Sequence, residues 1–248
     1  MISKKQLLEQ GFSLPFSNPT YCKGPYRFID REYLIITYET EMEALQQVVP
    51  EPLKIEKPYV KYEFIKMPNS TGFGNYTESG QVIEVSYQGK KGDFVHSMYL
   101  DSEKPIAAGR EIWGFPKTFA YPSLRVDSDV IIGELFYQDA LVARATMGFK
   151  EEKADCKHLQ HALENSDNYL LKIMPHVDGS LRICELVSYR LENIHVKEAW
   201  QSKGALELWS HALAPVANLP IKKIVSALHF VADLTLPYGK VVCDYLEK

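Results

Sequence analysis

The sequence predicts a mainly β protein of the α+β class, with one large antiparallel sheet curled into a barrel or cone around a central cavity. Most of the chain consists of segments in which β-branched and aromatic residues alternate or follow one another, and Gly and Pro residues separate these segments. A third observation is that helical patterns are few and short. Because a closed sheet can enclose a small-molecule cavity, we expect inward side chains to line a ligand site.

The short helices are predicted from their N-terminal sequences and their apolar spacing. Two segments fit the capping box, Ser3-x-x-Gln6 and Thr40-x-x-Glu43. Pro50 ends the second pattern. Two more short helices are candidates at 154–166 and 206–218. These few helices would lie around the sheet rather than form a layer of their own.

Nine segments carry the strand pattern, at 31–38, 58–67, 81–88, 94–100, 130–137, 140–148, 168–175, 181–196 and 223–236. No internal repeat of fixed period, low-complexity stretch or linker-like composition divides them. We therefore expect residues 1–248 to form a single domain, a length that one all-β domain commonly reaches.

Composition excludes several classes of function. The net charge of −4 and the absence of a basic stripe argue against a nucleic-acid partner. No apolar run approaches the length of a membrane span, and the N-terminus resembles a polar helix rather than a signal sequence. The four cysteines form no C-x-x-C pair, which is typical of reduced thiols and predicts a cytoplasmic location. No nucleotide-binding or hydrolase motif is present, and Cys156-x-His158-x-x-His161 fits a solvated helical face better than a metal site, so we expect no metal.

The segment 111–121, EIWGFPKTFAY, carries the chemistry. If it is extended, Lys117 projects to the same face as Phe115, Phe119 and Tyr121, while Thr118 projects to the other. An amine among aromatic rings loses hydration of its charged form, which lowers its pKa and leaves it a nucleophile. Taken alone, the segment favours a lysine whose stem covers the rings while its ammonium stays in water, since lysines are rarely fully buried.

A family resemblance favours the nucleophile. The stretch Gly109-Arg-Glu-Ile-Trp-Gly-Phe-Pro-Lys117 resembles the signature of the acetoacetate decarboxylase family. Other blocks along the chain are similar to that family, among them Gly24-Pro-Tyr-Arg-Phe28, Tyr76-Thr-Glu-Ser-Gly-Gln81, Ala145-Thr-Met-Gly148 and Asp178-Gly-Ser180. Each block is weak evidence by itself, whereas their order and spacing from about residue 14 to the C-terminus are specific.

The resemblance implies a reaction and its residues. Lys117 matches the Schiff-base lysine of a carboxy-lyase that decarboxylates acetoacetate to acetone and CO₂ without a cofactor. Arg31 and Glu78 match its polar catalytic partners, Arg31 as the group that holds the substrate carboxylate. The substrate-binding set would be completed by Glu63, Phe28, Met98 and Phe115. Homo-oligomerisation is also implied, with a small β-keto acid as the ligand.

One position departs from the family. A second lysine commonly follows the catalytic one, and here that position is Thr118. Since neighbouring strand residues face opposite ways, we expect Thr118 to point away from the amine, so that desolvation rather than a neighbouring cation lowers the lysine pKa.

Alternatives stay open on the residues alone. Arg31 beside Glu32 is ordinarily a surface pair, Glu78 a turn residue and Glu63 part of a solvated strand face. The same scaffold could support a Schiff-base aldolase or dehydratase, because an imine also activates α-carbons. A third hypothesis is a barrel that binds a small acid without catalysis, with Lys117 as an ion-pair partner.

Overall fold

The computed structural model describes residues 1–247, which form fifteen strands and four α-helices. The strands are β1 Tyr26–Glu39, β2 Tyr59–Ser70, β3 Gly74–Tyr87, β4 Lys90–Leu100, β5 Lys117–Phe119, β6 Tyr121–Asp127, β7 Val130–Tyr137, β8 Ala140–Gly148, β9 Glu152–Lys153, β10 Asp167–Pro175, β11 Leu181–Tyr189, β12 Glu192–Gln201, β13 Gly204–Leu208, β14 Lys223–Leu236 and β15 Lys240–Asp244. The α-helices are α1 Lys4–Gln10, α2 Met42–Gln46, α3 Glu103–Ala108 and α4 Cys156–Glu164. A π-helix spans Gly109–Trp113 and a 3₁₀-helix Val216–Asn218. Within residues 1–247 none of the helices has the length and apolar character needed to cross a membrane.

The strands form two sheets, and the prediction of a closed antiparallel barrel is wrong. The larger sheet has the order β15-β11-β10-β4-β3-β2-β1-β14-β12-β9, with β5 paired to β4 beside this path. Its terminal strands β15 and β9 are not joined in this order, so the sheet stays open. The pairs of β4 with β5 and with β10 are parallel. The mainly β class is confirmed.

The second sheet explains why the first one does not need to close. It has the order β13-β8-β7-β6 and packs on one face of the larger sheet, where Phe64 contacts the glycine at position 133. The other face of the larger sheet carries a separate apolar cluster that includes Tyr33, Met98 and Phe230. An open sheet must cover each apolar face with another layer. Here the apolar side chains on both faces of the larger sheet are buried without the sheet closing into a barrel.

The predicted elements are largely present, with three corrections. The capping box at Ser3 is confirmed, but α2 begins after Glu41 and its N-cap makes no side-chain hydrogen bond. The segment 181–196 is two strands rather than one, because the chain turns between β11 and β12. The segment 206–218 is not an α-helix: it begins in β13, whose pairing with β8 overrides the helical spacing, and ends in the 3₁₀-helix.

Candidate active site

One cavity of about 340 Å³ lies on the face of the larger sheet opposite the second sheet. It contains all seven residues proposed from the sequence, namely Phe28, Arg31, Glu63, Glu78, Met98, Phe115 and Lys117. These residues come from strands β1 to β5 and from the turn before β5. The fold therefore brings the predicted set together.

Lys117 occupies one end of this cavity and is 7% exposed. Its Nζ donates a hydrogen bond to Glu78 Oε1 at 2.6 Å and lies 5.0 and 6.0 Å from the ring centres of Phe115 and Tyr76. Burial lowers the pKa of the Lys117 amine, the Glu78 carboxylate opposes this shift, and Arg31 adds to it. The balance is a depressed pKa, which favours the neutral, nucleophilic amine.

The segment around Lys117 is not the continuous extended strand that its sequence suggested. Residues 109–113 form the π-helix, Gly114 adopts a φ of +86°, and only residues 117–119 pair with β4. After Ala120 the chain passes from the larger sheet into the second one, so Phe119 and Tyr121 lie outside the cavity, 40% and 49% exposed. The prediction that these two rings surround the amine is wrong, whereas Thr118 is exposed as expected.

The π-helix fixes where the lysine side chain lies. A Cβ on Gly109 would be 2.7 Å from Cδ and 3.4 Å from Nζ of Lys117, so the bare backbone of the π-helix is the surface on which the lysine stem rests. Arg110 Nη1 donates to the carbonyl oxygen of Lys117 at 3.2 Å, which holds the backbone of β5 against the same helix. π-helical turns often occur at functional sites, and this one orients the amine.

A β-bulge turns Arg31 toward the cavity. Between Phe28 and Arg31, strand β1 has one residue more than its partner β14, so two side chains three positions apart share a face. Asp30, in the bulge, has a φ of +56°, and its N–H donates to Asp233 Oδ1 at 2.9 Å. Lys197 Nζ lies 2.6 Å from an oxygen of each of these aspartates. This ion cluster stabilises the bulge that aims Arg31.

Arg31 retains capacity for an anion. Its guanidinium lies over the rings of Phe28 and Tyr33, and its Nη2 is 3.9 Å from Glu78 Oε2, beyond hydrogen-bond distance. Its Nε is buried and, among the residues that the structure describes, has no hydrogen-bond partner. A buried donor of this kind favours an acceptor from a ligand, and a carboxylate matches the planar guanidinium.

Glu63 lies on the cavity face of β2, two positions from Lys61 on the same face. Lys61 Nζ donates to both oxygens of Asp93, at 2.7 and 2.8 Å. Burial raises the pKa of the Glu63 carboxyl to about 7, with Lys61 and Arg31 opposing the shift. A carboxyl with this pKa can both release and accept a proton near neutral pH.

Sequence reasoning missed several residues of the cavity. Tyr76 faces the amine, Lys61 and Asp93 form the ion pair, and Leu159 and Leu163 of α4 line the cavity. Only Tyr76 carried a local signal, since it lies two positions before Glu78 in the same strand. The others depend on pairings and packing between distant segments.

Comparison with known proteins identifies the family of this chain. The family model described as acetoacetate decarboxylase matches residues 13–246. This chain belongs to the acetoacetate decarboxylase family. It is 57% identical over 237 residues to acetoacetate decarboxylase 2 of Mesorhizobium japonicum, an alignment that covers 96% of this chain and 90% of that protein.

Solved structures of the family have the same fold. The crystal structure of the acetoacetate decarboxylase from Legionella pneumophila superposes with a TM-score of 0.92 at 51% identity, covering 97% of each chain. The enduracididine biosynthesis enzyme MppR in complex with pyruvate has a TM-score of 0.82 at 17% identity, covering 95% of this chain and 98% of that one. At that identity the second likeness shows the fold alone.

Proposed function

We propose that this protein decarboxylates acetoacetate to acetone and CO₂ through a Schiff base on Lys117. The observation that carries the proposal is a buried lysine of depressed pKa, 2.6 Å from a carboxylate and in one apolar cavity with a buried arginine. These are the three groups that the reaction requires: a nucleophile, a proton carrier and a carboxylate holder. Membership of the family supports the same reaction.

The covalent steps follow from the amine. The neutral Lys117 Nζ attacks the C3 carbonyl carbon of acetoacetate, and loss of water from the carbinolamine gives a protonated imine. The bond between C2 and the carboxylate carbon then breaks, its electron pair moves toward the iminium nitrogen, and CO₂ leaves an enamine. Protonation of C2 and hydrolysis by one water release acetone and restore the amine. The imine serves as the electron sink.

Arg31 holds the substrate carboxylate in this scheme. Its buried Nε and the guanidinium plane over two aromatic rings present donors to a carboxylate in a site that largely excludes water. As CO₂ forms, the negative charge leaves the carboxylate for the cationic imine. Arg31 therefore acts mainly in binding and orientation.

Glu78 and Glu63 are the proton carriers. Glu78 touches the amine directly and is placed to transfer protons as the carbinolamine forms and breaks down. Glu63 lies farther along the cavity, where its pKa of about 7 suits proton exchange with the enamine or with water. Removal of either carboxyl should lower kcat.

The test is CO₂ release from acetoacetate by the purified protein, together with borohydride reduction and mass analysis. We expect an acid-stable adduct on Lys117, and we expect Lys117→Ala to lose both adduct and turnover while keeping its circular dichroism spectrum. Labelling that persists in Lys117→Ala would assign the nucleophile to another lysine. An adduct without CO₂ release would favour the aldolase or dehydratase reaction.

We also infer that the chain forms a homo-oligomer in the cytoplasm. Helix α1 exposes Leu7 and Leu8, and the turn between β10 and β11 exposes Val177 at 98%, which is apolar surface that a second copy would cover. All four cysteines are free, as in a reducing compartment. Light scattering on the purified protein measures the subunit number, and a monomer would contradict the inference.

A further inference from the structure

The cavity is larger than the proposed substrate. A cavity needs about 15 Å³ of volume to hold one water-sized group, so a cavity of about 340 Å³ has room for roughly twenty non-hydrogen atoms. Acetoacetate has about seven such atoms. Space for roughly a dozen more atoms is left when the substrate is bound.

The remaining space lies at the end of the cavity away from Lys117. Lys117 pairs with Met98 in β4, and Asp93 lies five residues along the same strand, at roughly 3.3 Å per residue. The two ends are therefore about 16 Å apart along the strand. Val82, Val95 and Leu228 line the cavity between them. We call the region around Lys61 and Asp93 the distal end.

The distal end is lined by polar side chains. Besides the ion pair of Lys61 with Asp93, Ser166 Oγ donates to Asp93 Oδ2 at 3.2 Å. Thr37 lies opposite Lys61 in the pairing of β1 with β2, and Asn168 lies opposite Asp93 in the pairing of β10 with β4. Both line the cavity and are half-buried, so their polar groups are accessible to a ligand. Polar side chains that line a cavity in this way are typical of ligand recognition.

We propose that the distal end is a second binding subsite, which takes an uncharged hydrogen-bonding group such as a hydroxyl at the end of a chain-extended 3-oxo acid. The inference rests on the proposed function, because Lys117 holds the C3 carbon and Arg31 the carboxylate. With those two groups fixed, a chain that continues beyond C4 has the apolar walls along its length and the polar groups at its end.

The charges at the distal end favour a neutral group. Asp93 already neutralises Lys61, so an added carboxylate would meet Asp93 and Glu63 without a free cation among the residues that form this end. A hydroxyl can donate to the Asp93 carboxylate or the Asn168 amide oxygen and can accept from the Asn168 amide nitrogen. A methyl group in the same place would leave these side chains unpaired.

A matched pair of substrates tests the proposal. In 8-hydroxy-3-oxooctanoate and 3-oxononanoate the chain has the same length and is long enough to approach the distal end, and only the terminal hydroxyl and methyl groups differ. We expect kcat/KM for CO₂ release to be about tenfold higher for the hydroxylated acid, the factor that one net hydrogen bond supplies. The dicarboxylate 3-oxooctanedioate should be the poorest of the three. Equal or lower kcat/KM for the hydroxylated acid, or a preference for 3-oxooctanedioate, would overturn the proposal.

Two variants locate the effect. Asn168→Leu and Thr37→Val each remove hydrogen-bonding groups, and each should bring the ratio of the two kcat/KM values toward one, so that a general change in turnover cancels. Thr118→Val, a matched change at an exposed position outside the cavity, should leave the ratio unchanged. An unaltered ratio in both cavity variants would overturn the assignment. Failure of acetoacetate itself to react would instead refute the proposed decarboxylase function.

Discussion

Replacement of Glu78 by glutamine should shift the titration of the catalytic amine to lower pH. Glu78 accepts a hydrogen bond from Lys117 Nζ at 2.6 Å, and its negative charge stabilises the ammonium. Glu78→Gln removes that charge, keeps an acceptor oxygen and leaves the cation of Arg31 unopposed. The loss of the carboxylate charge and the unopposed cation of Arg31 both disfavour a second cation in the cavity, so the Lys117 pKa should fall further.

The magnitude follows from the distance. Two unit charges 2.6 Å apart attract by about 6 kcal/mol at an effective dielectric constant of about 20, which is a ceiling because glutamine retains a dipole toward the amine. Carboxylate–cation pairs at such distances shift pKa values by about 1–3 units, equivalent to about 1.4–4 kcal/mol. We therefore expect the acid limb of imine formation to move down by about 1–3 pH units.

The assay is the rate of borohydride trapping as a function of pH, with acetone as the carbonyl compound. Acetone forms an imine with the amine but has no carboxylate to lose, so the measurement reports the amine without the later steps. Glu78→Asp keeps the charge, and Glu103→Gln changes an exposed carboxylate on α3; neither should move the limb downward. An unchanged or higher limb in Glu78→Gln would refute the view that this carboxylate supports the ammonium.

Three further predictions address how the site is built. Gly109→Ala should place a Cβ against the lysine stem and lower kcat/KM by about a hundredfold, with little change in thermal stability. Near-normal kcat/KM would show that the lysine side chain can reach the same amine position in another conformation. Phe115→Asn should admit water, raise the Lys117 pKa and move the acid limb of the pH–rate profile to higher pH, whereas Thr118→Lys should move that limb little. The opposite pattern would show that a neighbouring cation, rather than desolvation, controls the Lys117 pKa. Asp233→Ala should loosen the bulge that aims Arg31 and raise KM by about tenfold, and an unchanged KM would show that the bulge holds without its ion cluster.

Much of the site was accessible from the sequence because its residues lie in local motifs. The signature around Lys117 and the block around Glu78 identify these two residues. Each of these motifs also contains, a few positions away, a glycine that the site requires. The strand pattern predicted most of the strands, and the hydroxyl and amide at positions 3 and 6 predicted the start of α1. The first inference uses the resemblance of short motifs to a family, and the others use interactions between residues close in the chain.

The parts that could not be predicted depend on interactions between distant segments. The larger sheet is buried on both faces, so its apolar pattern did not show which side chains face the cavity. A bulge inserts one residue and reverses the alternation after it, which is how Phe28 and Arg31 come to share a face.

The sequence by itself determined the family and the mainly β class, because its strand patterns and the order of the blocks that resemble acetoacetate decarboxylases are properties of the chain alone. Only the tertiary structure decided the surroundings of the amine. Strand β5 leaves the larger sheet after three residues, which sends Phe119 and Tyr121 outward, while Tyr76 from β3 takes a place beside the amine. Desolvation of Lys117 is therefore set by strand pairing and sheet packing, because the groups that exclude water from it belong to strands that meet only in the folded chain.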